Sequence, residues 1–102
     1  GLATEMYIRA AMPAGVAVPG NRMELAKLIW EQAGKPEPTS TELFEDISAD
    51  DTEAQKAARW VVEQGLLKVS EDKPTEFRMT KAVTRLRVCL TWHEAKTKGL
   101  VK

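Results

Sequence analysis

The chain of 102 residues has very few of the side chains that build disulfides and metal sites: one cysteine, Cys89, and one histidine, His93. A single cysteine excludes a disulfide within the chain, and one cysteine with one histidine falls short of the ligands of a zinc site. No acidic residue stands at helical spacing from His93, and no glycine-rich phosphate loop occurs. We therefore predict no enzyme activity, no metal and no cofactor, with Cys89 and His93 on the inner side of a helix.

Net charge is also lacking, because 15 basic residues balance 15 acidic ones. A neutral chain has no general attraction to nucleic acid or to a membrane surface, and no apolar run approaches the length of a membrane span. The charges are nevertheless unevenly placed. Residues 42–53, the acidic segment, contain no base, and the basic stretch from Arg78 onward contains one acid, Glu94. We expect two solvated faces that attract each other across the fold; the alternative is that the basic stretch docks a polyanion.

Apolar periodicity predicts a mainly α, small four-helix domain of bundle-like or orthogonal type, and the length suits one domain with a modest core. The first helix covers residues 4–12 and stops before Pro13. The second begins at Asn21 with a capping box to Glu24 and ends at Gly34. The third begins at Asp50, with Glu53 completing a second box, and ends before Gly65. The fourth covers residues 81–97, and the link between the last two helices has room for short extended pieces.

Each helix presents a candidate inner face. The third helix places a stripe of small residues inward: Ala54, Ala57, Ala58, Val61 and Val62. In the fourth helix the predicted inner side is Leu86, Cys89, Leu90 and His93, with Val88 and Trp92 beside it. The loop between the second and third helices is predicted to be anchored by Leu43, Phe44 and Ile47.

Two helix starts share one pattern, because Asn21-Arg22 and Thr84-Arg85 each precede an apolar run with a tryptophan. The third position differs between them. Glu24 completes a capping box, whereas Arg87 would place a positive charge where the helix dipole disfavours it. We therefore infer that the fourth helix begins earlier, near Thr80.

In order and spacing, these motifs resemble the S-layer homology module, a repeat of bacterial cell-surface proteins. The matching segments are NRMELAKLIWEQAGKPEP at the helix start, FEDISADD, RWVVEQGLL and the closing FRMTKAVTR. The resemblance divides the single domain, residues 1–102, into the tail of a preceding repeat (1–20), a full repeat (21–79) and the start of a further repeat (80–102). Met79 and Arg87 depart from the proline and glutamate of the family pattern.

The resemblance implies a non-catalytic module that binds secondary cell-wall polysaccharide, often pyruvylated, and anchors a larger protein at the bacterial surface. In the family, three modules pack around a pseudo-threefold axis, so neighbouring repeats of the same or another chain are implied partners. Arg22 and Arg85 are then the carboxylate contacts, Glu24 is a further ligand-binding residue of the helix start, and Trp60 stacks on sugar or forms the groove wall. Phe44, Asp46, Gly65 and Phe77 are structural. GLATEM is typical of a chain cut from a longer protein, with no signal peptide visible, so an extracellular location follows from the resemblance only.

The residues leave plainer alternatives open. Arg22 pairs with Asp46, Arg85 is a solvated helix charge, Trp60 belongs to the core, and Asp46 caps the turn in FEDI. The main rival function is a helical protein–protein interaction or structural linker module that has lost carbohydrate binding. A DNA-binding bundle comes third: the basic fourth helix favours it, and the zero net charge opposes it.

Overall fold

The computed structural model describes residues 2–12 and 15–101, so Pro13 and the basic terminal residue Lys102 lie outside the described residues. Four helices follow one another: α1 (Leu2–Ala11), α2 (Arg22–Gln32), α3 (Thr52–Glu63) and α4 (Arg85–Thr97). The described residues contain no strand, only one antiparallel bridge between Asn21 and Ala82. The prediction of a mainly α four-helix domain is therefore confirmed.

Local chemistry sets both ends of α2 where the sequence predicted them. The Asn21 Oδ1 atom accepts a hydrogen bond of 2.8 Å from the backbone N–H of Glu24. After the C-cap residue Ala33, Gly34 takes a φ of 93°, a left-handed conformation that suits glycine. The reciprocal half of the capping box, from the Glu24 carboxylate to the Asn21 N–H, is not formed among the described hydrogen bonds.

The start of α3 lies one residue beyond its predicted place. Asp51 is the N-cap, and its Oδ1 atom accepts from the backbone N–H of Ala54 at 3.1 Å. The prediction of a box between Asp50 and Glu53 was wrong, because either of two adjacent aspartates can cap and the turn favours the second. Glu53 instead forms an ion pair with Lys35 at 3.1 Å.

Thr84 begins α4, and its Oγ1 atom accepts from the Arg87 N–H at 3.0 Å. The inferred start near Thr80 was wrong for a specific reason. The carbonyls of Met79 and Lys81 accept hydrogen bonds of 3.0 Å from the first two N–H groups of α2, those of Met23 and Arg22. A segment paired in this way to the start of α2 cannot also be the first turn of α4.

The core is built on the pairing of α2 with α3. Leu25, Ala26 and Ile29 of α2 are fully buried against the alanine-rich face of α3. Of the predicted inner stripe of α3, Ala54, Ala57, Ala58 and Val61 are fully buried, and Val62 is half-buried. Small side chains allow two helices to approach closely, so this stripe explains the tight α2–α3 contact.

The loop that leads into α3 is held by one buried polar side chain, Gln55, which is only 4% exposed. Its Oε1 atom accepts from the N–H of Phe44 at 2.8 Å, and its Nε2 atom donates to the carbonyls of Phe44 (3.2 Å) and Ile47 (2.8 Å). Phe44 and Ile47 are buried as predicted, but Leu43 is 53% exposed and does not anchor the loop.

The fourth helix turns a different face inward from the one that the sequence predicted. Leu86 and Leu90 are 55% and 48% exposed, His93 is exposed, and Cys89 is half-buried. The buried residues are Val88, Thr91, Trp92 and Ala95. Both faces of α4 carry apolar residues, so the pattern alone did not select the one that meets the core.

Helix α1 packs against α4 rather than against the α2–α3 pair. Arg85 Nε and Glu5 Oε1 form an ion pair at 3.0 Å across this contact. The rings of Tyr7 and His93 meet edge to face with centroids 5.9 Å apart, and Ile8 is buried. The start of α4 is held beside the start of α2 by other contacts, the Asn21–Ala82 bridge and the hydrogen bond from the Val83 N–H to the Gly20 carbonyl at 3.1 Å.

Candidate functional site

A basic groove lies where the starts of α2 and α4 meet the segment that follows α3. It encloses about 650 Å³ and is lined by Arg22, residues 65–68, residues 81–84, Arg87 and Glu94. An adjoining hollow of about 290 Å³ shares Arg22, Lys68 and Lys81 with it. The two form one continuous depression, which we call the basic groove.

Arg22 forms the wall of the groove, and part of its guanidinium is hydrogen-bonded within the chain. Its Nε atom donates to the carbonyl of Phe77 at 2.8 Å and one Nη atom donates to the carbonyl of Lys68 at 2.7 Å. The guanidinium also lies 4.8 Å from the centre of the Phe77 ring. Burial, with the nearby charge of Arg78, lowers the pKa of Arg22 against the opposing effect of Asp46. One edge of the guanidinium is used, and the other Nη group makes no hydrogen bond among the described residues.

Asp46 supports this wall from behind. Its two carboxylate oxygens accept from the backbone N–H groups of Phe77 at 2.9 Å and Arg78 at 2.6 Å. Arg78 has a φ of 61°, an unusual backbone conformation for a residue other than glycine, which the carboxylate holds in place. We also considered a direct ion pair between Asp46 and Arg22. No such pair is formed among the described residues. Nor does Asp46 cap its own turn, since it joins two loops distant in sequence.

The two helix starts differ in what they offer to a ligand. The first N–H groups of α2 are all bonded within the chain: Arg22 to Lys81, Met23 to Met79 and Glu24 to Asn21. At the start of α4, the N–H groups of Arg85 and Leu86 have no hydrogen-bond partner among the described residues. Free N–H groups at a helix start attract anions. The start of α4 has this property and that of α2 does not, but neither Arg85 nor Leu86 lines the groove.

The groove carries an excess of positive charge that its surroundings leave unneutralised. Arg22, Lys68, Lys81 and Arg87 line it, and no ion pair in the described chain involves any of them. Two acids line it, and each pairs with a lysine outside the lining: Glu94 with Lys98 at 3.7 Å and Glu76 with Lys73 at 3.7 Å. A neutral chain therefore has a locally basic surface, which fits an anionic ligand.

Of the residues predicted to bind ligand, only Arg22 lines the groove. Arg85 points to α1 and pairs with Glu5. Trp60 is 5% exposed and packs in the core, and Glu24 is exposed outside the groove lining. The sequence did not predict three other lining residues as ligand contacts: Lys68, Lys81 and Arg87. Only the fold brings them together. The one indication in the sequence was the positive charge of Arg87 near a helix start, where the helix dipole disfavours it.

No protein-family model matches this chain, and neither a curated protein nor a solved structure matches it. The resemblance to the S-layer homology module thus stays a prediction based on its motifs. Across residues 2–12 and 15–101, no helix is long and apolar enough to cross a bilayer.

Proposed function

We propose that this chain is a non-catalytic module of S-layer homology type that binds an acidic, pyruvylated cell-wall polysaccharide at the bacterial surface and anchors a larger protein there. The observation that carries the proposal is the convergence of Arg22, Lys68, Lys81 and Arg87, none of them in an ion pair of the described chain, on one open groove. The repeated arginine then has two different roles. Arg22 builds the wall of the groove, and Arg85 ties α4 to α1.

The groove chemistry suits a carboxylate displayed on a sugar. Lys68, Lys81 and Arg87 are exposed, so their charged ends are available to a ligand at little structural cost. The Arg87 guanidinium makes no side-chain hydrogen bond in the described chain and can offer its fork to a carboxylate in two parallel bonds. A depression of about 650 Å³ has the size of an ordinary small-ligand site.

The position of Arg87 gives a further argument. It stands in the first turn of α4, where the helix dipole disfavours a positive charge, and the first turn contains no acidic residue to offset it. A residue that opposes helix stability while lining a basic groove is better explained by binding than by folding.

Affinity measurements with a matched ligand pair test the proposal. Calorimetric titration uses pyruvylated wall-polysaccharide fragments and the same fragments after acid removal of pyruvate. We expect binding of the pyruvylated form to be at least tenfold tighter and to weaken as salt screens the charges. The Arg87→Gln variant should lose at least tenfold in affinity while its thermal stability stays equal or rises.

The matched control is Lys96→Gln, which removes an exposed charge at the other end of the same helix. It should bind like the original chain. Equal binding of both ligand forms, or equal losses in the two variants, would contradict a specific carboxylate site.

A second candidate function is a helical protein–protein interaction or linker module without carbohydrate binding. The exposed Leu86 and Leu90 on α4 favour it, because large apolar side chains at adjacent helix positions suit a protein contact. No binding of either polysaccharide form by a folded chain would favour this candidate. Tight binding of duplex DNA that falls steeply with salt would instead favour the DNA-binding bundle.

A further inference from the structure

The two oppositely charged regions of the chain form no ion pair with each other in the described residues. We expected the acidic segment, residues 42–53, to attract the basic stretch from Arg78 onward, and direct pairing of side chains does not contribute to that attraction. Asp46 reaches the basic stretch only through the backbone N–H of Arg78. The side chains of Glu42, Glu45 and Asp50 remain exposed and outside any ion pair in the described chain.

On the basic side, α4 displays an apolar patch formed by Leu86 and Leu90, which we call the α4 patch. The two side chains are one helical turn apart and therefore share a face. They are 55% and 48% exposed. Arg87 adjoins the patch, three positions before Leu90, so the patch has a positively charged edge.

On the acidic side, a cavity of about 180 Å³ opens between the loop 37–43 and the first half of α3. We call it the Leu43 cavity, since the half-exposed Leu43 forms part of its lining with Pro38 and Ala49. Its lining is mainly apolar, and Glu42 belongs to it.

The cations that line the Leu43 cavity are already engaged within the chain. Lys56 pairs with Glu37 at 2.7 Å. Arg59 lies 4.1 Å from the centre of the Phe44 ring and donates to the Glu42 carbonyl at 3.1 Å. The carboxylate of Glu42 is therefore available to a cation from outside.

The α4 patch and the Leu43 cavity are both apolar, and their surroundings carry opposite charge: Arg87 adjoins the patch, and the unpaired Glu42 of the acidic segment borders the cavity. The cavity belongs to the loop and α3, and no residue of α4 lines it, so the two surfaces do not meet within one molecule. We propose that copies of this chain associate head to tail, with the α4 patch of one copy seated in the Leu43 cavity of the next and Arg87 beside Glu42. Because the two surfaces differ, this contact is heterologous and builds either a ring or an open chain of molecules. It uses surfaces outside the polysaccharide contacts proposed above, except for Arg87.

Two variants test the arrangement. One disrupts the α4 patch, and the other disrupts the Leu43 cavity. Leu90→Glu places a negative charge on the α4 patch, where it would face the acidic segment. Leu43→Lys places a positive charge in the cavity, where it would face Arg87. Both positions are exposed, so the fold should persist, which circular dichroism verifies. Sedimentation velocity and light scattering follow the mass of each sample from about 10 µM to about 1 mM, a range that detects weak association.

The original chain should grow in mass beyond a dimer as concentration rises, and high salt should reduce the growth. Each variant alone should lose self-association at least tenfold. An equimolar mixture of the two should regain association, because the intact patch of one variant can enter the intact cavity of the other. Lys96→Glu, a charge reversal elsewhere on α4, should associate like the original chain.

Three results would overturn the proposal. The first is a monomer throughout the concentration range. The second is a dimer that Leu90→Glu abolishes and Leu43→Lys leaves intact, since this identifies a symmetric contact of patch with patch. The third is a mixture of the two variants that stays monomeric. None of these results depends on polysaccharide binding, so the two proposals can fail separately.

Discussion

Replacing Gln55 by glutamate tests how the loop before α3 is held. The change keeps the shape of the side chain and removes its two N–H donors, which now bond the carbonyls of Phe44 and Ile47. Each buried carbonyl that loses its partner costs about 1–3 kcal/mol. With a charge introduced at a site only 4% exposed, the expected loss is about 3–5 kcal/mol, a large share of the roughly 5–15 kcal/mol that stabilises a typical domain.

The loss of stability in Gln55→Glu should depend on pH in a defined direction. Burial and the facing carbonyl oxygens disfavour the charged form of the introduced carboxyl, so its pKa in the folded state rises above the unfolded value of about 4.3. The folded state then binds the proton more tightly than the unfolded state does. The destabilisation is complete at pH values above the raised pKa and shrinks as the pH falls through it, by up to about 1.4 kcal/mol per pH unit.

Urea unfolding at pH 7 and at pH 5, followed by the fluorescence of the buried Trp30, Trp60 and Trp92, measures both effects. The matched control is Gln32→Glu at the exposed end of α2, which should change the free energy of unfolding by less than about 0.5 kcal/mol. The reasoning is refuted by a Gln55→Glu loss below about 1 kcal/mol at pH 7, or by a gap to the control that widens at pH 5.

Three further substitutions test single features of the fold by thermal or urea unfolding. Asp46→Asn should cost about 1–2 kcal/mol, because an amide can accept only one of the two bonds from the N–H groups of Phe77 and Arg78; an unchanged stability would show that the link is dispensable. Thr91→Val should stabilise by about 1 kcal/mol, since the buried Thr91 hydroxyl has no partner among the described residues, and a loss of stability would reveal one. Gly65→Ala should cost roughly 1–2 kcal/mol at a φ of 74°, a cost that a neutral result would disprove.

The sequence predicted best those features that depend on a few adjacent residues. Asn21 caps α2, and Gly34 and Gly65 take the left-handed conformation after their helices. Each rule needs only local backbone geometry and one side chain. The predicted start of α4 was wrong because the prediction considered only the charge of Arg87 against the helix dipole. In the structure, hydrogen bonds from the N–H groups of α2 to the carbonyls of Met79 and Lys81 decide where α4 can begin.

Features that depend on packing were beyond the sequence. The buried face of α4 includes Thr91, and the exposed face includes Leu86 and Leu90, so hydrophobicity alone favours the wrong side. Gln55 resembles an ordinary surface residue of an alanine-rich helix until the loop passes over it. In the candidate site, Lys68 comes from a loop whose path no local pattern sets.

The most direct test of the basic groove as the ligand site is a ¹⁵N-HSQC titration with pyruvylated wall-polysaccharide fragments. We predict that the amide signals of Lys68, Lys81 and residues 84–87 shift most, that those of Glu24 and Trp60 shift little, and that Arg87→Gln suppresses the changes. A silent titration of the folded chain would contradict the account. So would shifts centred on Glu24 and Trp60, since neither residue lines the basic groove.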